Sequence, residues 1–300
     1  CAPLRTGQAP RAAALALDVT GTTTLGLRAR AATAPHGSDS GIRLLDTGHD
    51  AFLERAALIE AAERSIDAQY YIWNSDTTGR YMAARLYAAA ERGVRVRLLL
   101  DDINVGGRDD VLALLDQHPN IEIRIYNPAL ERDGLRWAFG FLREFSRLNR
   151  RMHNKSFTVD GSVTILGGRN IGDEYFDAHA ELNFRDRDVV AIGPVVADTA
   201  DMFDAFWNSV LARPVTEFGN AVRAGDMQSR ATQAAADSAR IAQLYGALPK
   251  DGAAGLGHVA GSIEAMRWAP ARLVHDNPPS DAALADTSIT QASAAALGEV

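Results

Sequence analysis

The sequence predicts an α/β domain, with a mainly parallel, mixed β-sheet flanked by helices. Residues 65–126 alternate in the order strand, helix, strand, helix, strand. This order is typical of parallel strands joined by crossover helices. Apolar residues make up 47% of the 300 residues, which is enough for a packed core and excludes a largely disordered chain.

Local patterns place each element along the chain. Apolar residues three or four apart predict helices, and alternating or continuous apolar runs predict strands. In order, we expect a helix at 50–64, a strand at 65–73, a helix at 79–92 ended by Gly93, a strand at 94–100, a short helix near 109–117, strands at 121–126, 153–159, 162–166 and 189–192, and helices at 195–211 and near 230–246. Between two of these strands, Asp160-Gly161 predicts a type I′ hairpin turn.

Composition divides the chain into three parts. Residues 1–40 are rich in Thr, Ala, Gly, Pro and Ser without a sustained period, which predicts a leader that tethers a domain. Residues 41–218 form the predicted domain. Residues 219–300 predict a connector that is looser after its helix. The pattern of residues 41–60 partly recurs at 270–300, which indicates the opening of an incomplete second repeat.

Charge and cysteine content exclude several classes of protein. The net charge is −7 with a pI near 5.5, which argues against broad attraction to nucleic acid. No apolar run reaches the length of about 18 residues that a transmembrane helix needs. The single cysteine, Cys1, excludes an internal disulfide framework and a Cys-cluster zinc site.

Cys1 itself bears on location. A mature bacterial lipoprotein begins with a cysteine that is lipidated on its sulfur. The sequence therefore predicts a lipid anchor at Cys1 and a membrane-associated place in the bacterial cell envelope. The alternative is that Cys1 marks an arbitrary starting point of the sequence.

The stretch 152–176 (MHNKSFTVDGSVTILGGRNIGDEYF) carries the chemistry. His153 and Lys155 are two apart on a predicted strand, so both side chains lie on one face. Asn170 closely follows the return strand and its two terminal glycines. A lysine charge, an amide donor and close backbone approach suit a tetrahedral phosphate. The imidazole is able to attack phosphorus or to act as an acid–base.

The spacing of this stretch, H-x-K-x4-D-x6-G-G-x-N, resembles the signature of the phospholipase D superfamily. GGRNIGDEYF, IDAQYYIW, LLLDDIN and IRIYNP also resemble bacterial cardiolipin synthases of the lipoprotein-like C type. The resemblance implies a phospholipase D-like fold over residues 41–218. It also implies a two-step phosphodiester exchange through a phosphohistidine, with no metal and no other cofactor.

The resemblance also assigns residues to roles. His153 is implied as nucleophile or its acid–base partner, and Lys155 with Asn170 as the holders of phosphate oxygens. Asp160 is the motif acid that supports the site. An acid on a later strand, Asp188 or Asp186, is implied to fix the histidine tautomer, and the sequence leaves both open. The implied substrate-binding residues are Gly167, Gly168 and Arg169. By contrast, the acids of 101–110 (DDINVGGRDD) are interpreted as loop and helix-start charges.

The sequence departs from the superfamily in one respect. The superfamily builds an active site from two such motifs, and this sequence has one. We therefore expect the front half of a longer enzyme, the product of a truncated gene, or one subunit of a homodimer. The implied partners are an anionic glycerophospholipid, a membrane surface, and a second motif-bearing half or homodimer partner, with no nucleic acid.

A segment just before the motif bears on the substrate. Residues 136–151 (RWAFGFLREFSRLNRR) place five arginines on one side of a helical wheel and aromatic residues opposite. A basic amphipathic helix of this kind suits an anionic membrane interface. The alternative is an ordinary helix whose apolar face docks on the core.

Three functions follow, in order of preference. The first is a phosphatidyltransferase of the cardiolipin synthase type. The second is a phosphodiesterase or nuclease in which two single-motif chains pair about a two-fold axis. The third is a catalytically silent fragment that binds anionic lipid or a partner chain.

Overall fold

The computed structural model describes residues 14–17, 21–104, 109–128, 151–218 and 225–279. Three of the features predicted above lie wholly or largely outside these residues. They are Cys1, with its lipid, the basic amphipathic helix, of which only Arg151 is described, and the incomplete second repeat, of which only 270–279 are described.

The described residues form the following helices and strands. The helices are α1 (Thr24–Thr33), α2 (Gly48–Ala61), α3 (Thr77–Glu91), α4 (Asp109–Leu115), α5 (Pro194–Trp207), α6 (Gly225–Tyr245) and α7 (Gly252–Glu264). The strands are β1 (Ser40–Leu45), β2 (Ser65–Tyr70), β3 (Arg95–Asp101), β4 (Ile121–Tyr126), β5 (Ser156–Val159), β6 (Val163–Gly167), β7 (Asp188–Ile192), β8 (Ala212–Pro214) and β9 (Arg267–Ala269).

The strands form one sheet in the order β8-β4-β3-β2-β5-β6-β7-β1-β9. The predicted α/β class with a mixed sheet is confirmed, but the sheet is less parallel than predicted. Among the described strands, only the pairs β2–β3 and β3–β4 are parallel. The other pairs are antiparallel, and β5 and β6 among them form a tight hairpin.

Local signals fix the ends of the helices that follow β1 and β2. Thr47 caps α2 by accepting the Asp50 N–H, and Asp76 caps α3 by accepting the Gly79 N–H. Past the end of α3, Gly93 has φ +92°, a value that glycine adopts without strain. The predicted stop at Gly93 is therefore confirmed.

Helices cover both faces of the sheet. Leu98 and Leu100 of β3 belong to a core that includes side chains of α2, α3, α6 and α7. Leu99 points to the opposite face, where it belongs to a second cluster with Phe206 and Trp207 of α5. No helix among the described residues is long and apolar enough to cross a membrane.

Two helices were not anticipated from the sequence. α1 lies within the predicted leader and buries Leu25 and Ala29 in the core. α7 follows α6 where looser structure was expected, and β9 then adds a strand beside β1. Small residues hid α7 from a periodicity analysis. At Gly255, a Cβ would lie 2.5 Å from the Ala57 carbonyl oxygen, so the glycine permits close approach to α2.

Candidate active site

One edge of the sheet gathers the motif. β2 and β3 end at this edge, and the antiparallel pairings place the start of β5, the end of β6 and the start of β7 there as well. His153 and Lys155 precede β5, Asn170 follows β6, and Asp186 precedes β7. Residues far apart in the chain therefore meet at what we call the motif edge.

His153 and Lys155 lie in an extended segment just before β5, not within the strand. The predicted alternation still holds along this segment. Phe157 is buried in the core on the α2 and α3 side. Asn154 points the other way, and its Nδ2 lies 3.2 Å from Met202 Sδ on α5.

Tyr71 brings the histidine and the lysine together. Its ring centroid lies 4.4 Å from that of His153 and 5.6 Å from Lys155 Nζ. Lys155 Nζ also donates a hydrogen bond to the His153 carbonyl at 2.6 Å. Sequence reasoning missed Tyr71 because it directly follows Tyr70, a core residue, and nothing local shows which of the two faces the site.

Asn170 is fixed by the segment that follows β2. Its Oδ1 accepts the Ile72 N–H at 2.9 Å. The backbones of Ile72 and Ile171 are joined by a 3.1 Å hydrogen bond, and Asn74 N donates to Ile171 O at 2.8 Å. Because its oxygen accepts from Ile72, Asn170 is oriented with its amide nitrogen as the donor, and its side chain also hydrogen-bonds the Tyr175 side chain.

The charges around His153 favour the neutral imidazole. His153 is exposed, yet partial desolvation and then the charge of Lys155 lower its pKa. Asp276 and a hydrogen bond to the Arg151 backbone oppose this shift. A lowered pKa leaves the ring nitrogen with a free lone pair at neutral pH, which a nucleophile or general base requires.

Lys155 is half-buried, and its charge meets three acids. Burial lowers its pKa, while Asp186, Asp188 and Asp101 act in the opposite direction. An ammonium beside carboxylates and a histidine provides a fixed positive charge at the motif edge for an anionic group.

Asp160 lies at the opposite end of the sheet. Its carboxylate accepts the backbone N–H groups of Glu63, Arg64 and Ser65 at 3.1, 2.8 and 2.9 Å. Asp160 and Gly161 have φ +50° and +55°, so the predicted type I′ turn is confirmed. Five residue steps along β5, roughly 16 Å at about 3.3 Å per residue, separate Asp160 from Lys155. Its contacts connect the hairpin to the start of β2.

Asp188 has partners other than the implied histidine. Its Oδ2 accepts from Arg55 Nη2 at 2.9 Å, and its Oδ1 accepts the Arg169 N–H at 3.1 Å. Asp186 instead lies beside Gly168 and is the acid that acts most strongly on Lys155. Within the described chain, neither carboxylate contacts the His153 ring, because the two acids face Arg55 and Lys155.

The implied substrate-binding residues bind the protein itself. The Arg169 guanidinium is buried and donates to the carbonyls of Leu45, Asp46 and Tyr175. A Cβ on Gly167 would overlap Asp188 Oδ1, and one on Gly168 would lie 2.8 Å from Asp186 Oδ1. These glycines therefore admit the residues that enter β7, whereas the sequence analysis had assigned them to a phosphate.

No group of three or more His, Cys, Asp or Glu side chains in the described part of the chain is arranged to hold a metal ion. At the motif edge the structure does bring together His153 and Lys155 beside the Tyr71 ring, with Asn170 bound to the next residue, Ile72. A mixed α/β sheet that carries an H-x-K-x4-D hairpin in this way defines a phospholipase D-like domain.

Comparison with known families agrees. The family model described as "Cardiolipin synthase, PLD-like domain" matches residues 56–207. The chain therefore belongs to the phospholipase D-like family of cardiolipin synthases.

Two of its relatives are named cardiolipin synthases. It is 47% identical over 244 residues to cardiolipin synthase C of Escherichia coli K12, covering 81% of this chain and 51% of the relative. It is 30% identical to cardiolipin synthase A of Pseudomonas entomophila, over 57% of this chain and 34% of the relative. The chain thus spans about half or less of these relatives' length. Among solved structures, phosphatidylserine synthase of Haemophilus influenzae Rd KW20 matches 72% of this chain and 48% of that one, at 17% identity and a TM-score of 0.44.

Proposed function

We propose that this chain provides one half of the active site of a phosphatidyltransferase of the cardiolipin synthase type. The observation that carries the proposal is the convergence of His153, Lys155 and Asn170 at the motif edge, in a chain 47% identical to a cardiolipin synthase. The described His153 ring is exposed, as a residue that meets an external substrate must be.

The reaction has two displacements at phosphorus. In the first, a ring nitrogen of His153 forms a P–N bond as the P–O bond to the leaving alkoxide breaks, and an acid protonates that alkoxide. In the second, the hydroxyl of the acceptor lipid loses its proton to a base and attacks phosphorus as the P–N bond breaks. Lys155 and the Asn170 amide stabilise the charge on the non-bridging oxygens.

One histidine cannot serve both roles in the first step, because its attacking nitrogen has no proton to give. The acid must therefore come from a second motif, supplied by a further part of the polypeptide or by a second copy. This chain therefore contributes half of the proposed active site.

Exposed apolar side chains favour a lipid substrate over a nucleic acid. Seven large apolar residues are exposed among the described residues, and five of them lie at or next to the motif edge. These five are Leu44, Ile103, Leu182, Phe184 and Val210. Apolar side chains on several loops suit contact with a bilayer surface. We therefore also propose the bacterial cell envelope as the location.

The test is phosphatidyl transfer in phosphatidylglycerol vesicles, measured by mass spectrometry of the lipid products. A demonstrably monomeric chain is expected to turn over very poorly. Supplying a second motif, as a second copy at high concentration or by extending the chain where its gene continues, should increase transfer. His153→Ala should then abolish it.

His36→Asn is the matched control, because His36 precedes β1 at the opposite end of the sheet and stacks on Trp268. It should leave transfer unchanged. Strong turnover by a monomer would contradict the half-site, and full activity of His153→Ala would contradict the role of His153. Cleavage of DNA without lipid transfer would favour the phosphodiesterase alternative.

A further inference from the structure

His153 lies outside the hydrogen-bonded part of the sheet. The ladder between β5 and β2 begins with the pair Ser156 and Gln69, three residues after His153. The backbone around His153 therefore needs other hydrogen-bond partners, since buried backbone groups are almost always paired. The Met152 side chain is fully buried in the α5 cluster, but burial of a side chain does not satisfy its amide.

Asp101, the last residue of β3, supplies that partner. Its Oδ2 accepts the Met152 N–H at 3.0 Å. Its Oδ1 accepts from Arg151 Nη1 at 3.1 Å and from the Ile103 N–H at 3.0 Å. The carboxylate thus connects the end of a central strand to the two residues that precede His153.

We propose that Asp101 is a positioning residue, which holds the segment that carries His153 against the end of β3. The proposal rests on the proposed function for its catalytic consequence, although the contacts themselves do not. The sequence analysis had interpreted Asp101 as a loop charge.

Burying the Asp101 carboxylate costs free energy, so we infer that its contacts have a function. Its side chain is 0% exposed, and a buried carboxylate is unfavourable unless its oxygens are paired. Burial raises its pKa to about 6, while Arg151 and the Met152 and Ile103 amides lower it. The other groups that face it are Asp102, Tyr71 and Lys155.

A neutral variant of the same size separates the effect of the Asp101 charge from the effect of its shape. Asp101→Asn keeps the size of the side chain and one oxygen, but it loses the ion pair with Arg151 and presents an NH2 group to donors. Asp102→Asn is the matched control, because it removes the same charge one residue later, from a half-buried side chain outside the three contacts described.

The primary measurement is made on the 300-residue chain by NMR. For Asp101→Asn, amide exchange at Met152 should accelerate at least tenfold, and the titration of the His153 ring should shift. Amides of β5, such as Phe157, should keep their exchange rates. Asp102→Asn should change neither. Unchanged exchange at Met152 together with an unchanged His153 titration would overturn the proposal.

The second measurement is phosphatidyl transfer by the protein after a second motif has been supplied, as in the test of the proposed function. Displacement of His153 should lower kcat by about 10- to 100-fold and leave KM nearly unchanged, since binding groups stay in place. Should the wild type show no phosphodiester exchange, the proposed function fails, while the NMR result still decides the role of Asp101. If Asp101→Asn changes Met152 exchange and the His153 titration but leaves the kcat of an active enzyme unchanged, the positioning role is overturned.

Discussion

Arg55 on α2 and Asp188 at the start of β7 form a buried ion pair across 133 residues of sequence. Arg55 Nη2 lies 2.9 Å from Asp188 Oδ2, and the two side chains are 2% and 0% exposed. Arg55 also donates to the Tyr70 hydroxyl at 3.0 Å and to the Ala51 carbonyl at 2.9 Å. This pair connects α2 to the strand that closes the motif edge.

Removing one partner of this pair should lower the free energy of unfolding. Arg55→Met removes the closest cation from the buried Asp188 carboxylate and leaves Arg169 Nη1 at 3.8 Å, so we expect a loss of about 3 kcal/mol in the free energy of unfolding. Urea denaturation followed by circular dichroism measures it. The double variant Arg55→Met with Asp188→Leu should lose less than the sum of the single variants. Additive losses would show that the two side chains are not coupled.

Asp160 should matter for stability rather than for chemistry. Asp160→Ala orphans three backbone N–H groups and puts alanine at a positive φ, so we expect a loss of about 4 kcal/mol. Asp160→Asn keeps an acceptor and tolerates the positive φ, with an expected loss of about 1–2 kcal/mol. Transfer activity per folded molecule should stay within twofold for Asp160→Asn. A hundredfold drop in that activity, with stability intact, would instead place Asp160 in the reaction.

The two glycines of the motif should differ in tolerance. In Gly167→Ala the new methyl group overlaps the Arg187 carbonyl, which is backbone, so we expect a loss of about 3 kcal/mol. In Gly168→Ala the nearest atom belongs to the Asp186 side chain, which is able to move, so the loss should be about 1 kcal/mol or less. Thermal melts of both variants test the order, and equal losses would contradict it.

Asp101 should make stability fall as pH rises. Its pKa is about 6 in the folded chain, above the usual value of 3.8, so the folded state holds its proton more tightly than the unfolded state. Its contribution to the free energy of unfolding is therefore fully present below about pH 4 and is lost as pH rises to about 6, by about 3 kcal/mol. Asp101→Asn should remove this dependence. A difference between wild type and variant that is independent of pH would contradict the assignment.

The basic segment before the motif should direct binding to anionic surfaces. If this segment forms the predicted helix, its arginines attract anionic headgroups, so binding to phosphatidylglycerol vesicles should exceed binding to phosphatidylcholine vesicles and should weaken with salt. Replacing Arg143, Arg147 and Arg150 with Gln should remove the preference in a vesicle sedimentation assay. Equal binding to both vesicle types would indicate a purely structural segment.

The sequence by itself determined the family and most of the local structure. The spacing of His153, Lys155 and Asn170 indicated phosphate chemistry, Asp160-Gly161 predicted the turn, and Gly93 marked the end of a helix. These signals are local, because a turn type, a helix stop or a strand period depends on residues within a few positions. The class of fold followed from the order of the elements.

Only the tertiary structure decided which groups the buried charged side chains contact. Asp188 was implied to orient the histidine but pairs with Arg55, and Arg169 was implied to bind substrate but donates to Leu45 and Asp46. Asp101 was interpreted as a loop charge, yet it binds the Met152 amide. The physical reason is that a charge is buried only where donors from other strands converge, and the order of nine strands sets that convergence. Sequence spacing carries no record of which loops meet at one edge of a sheet.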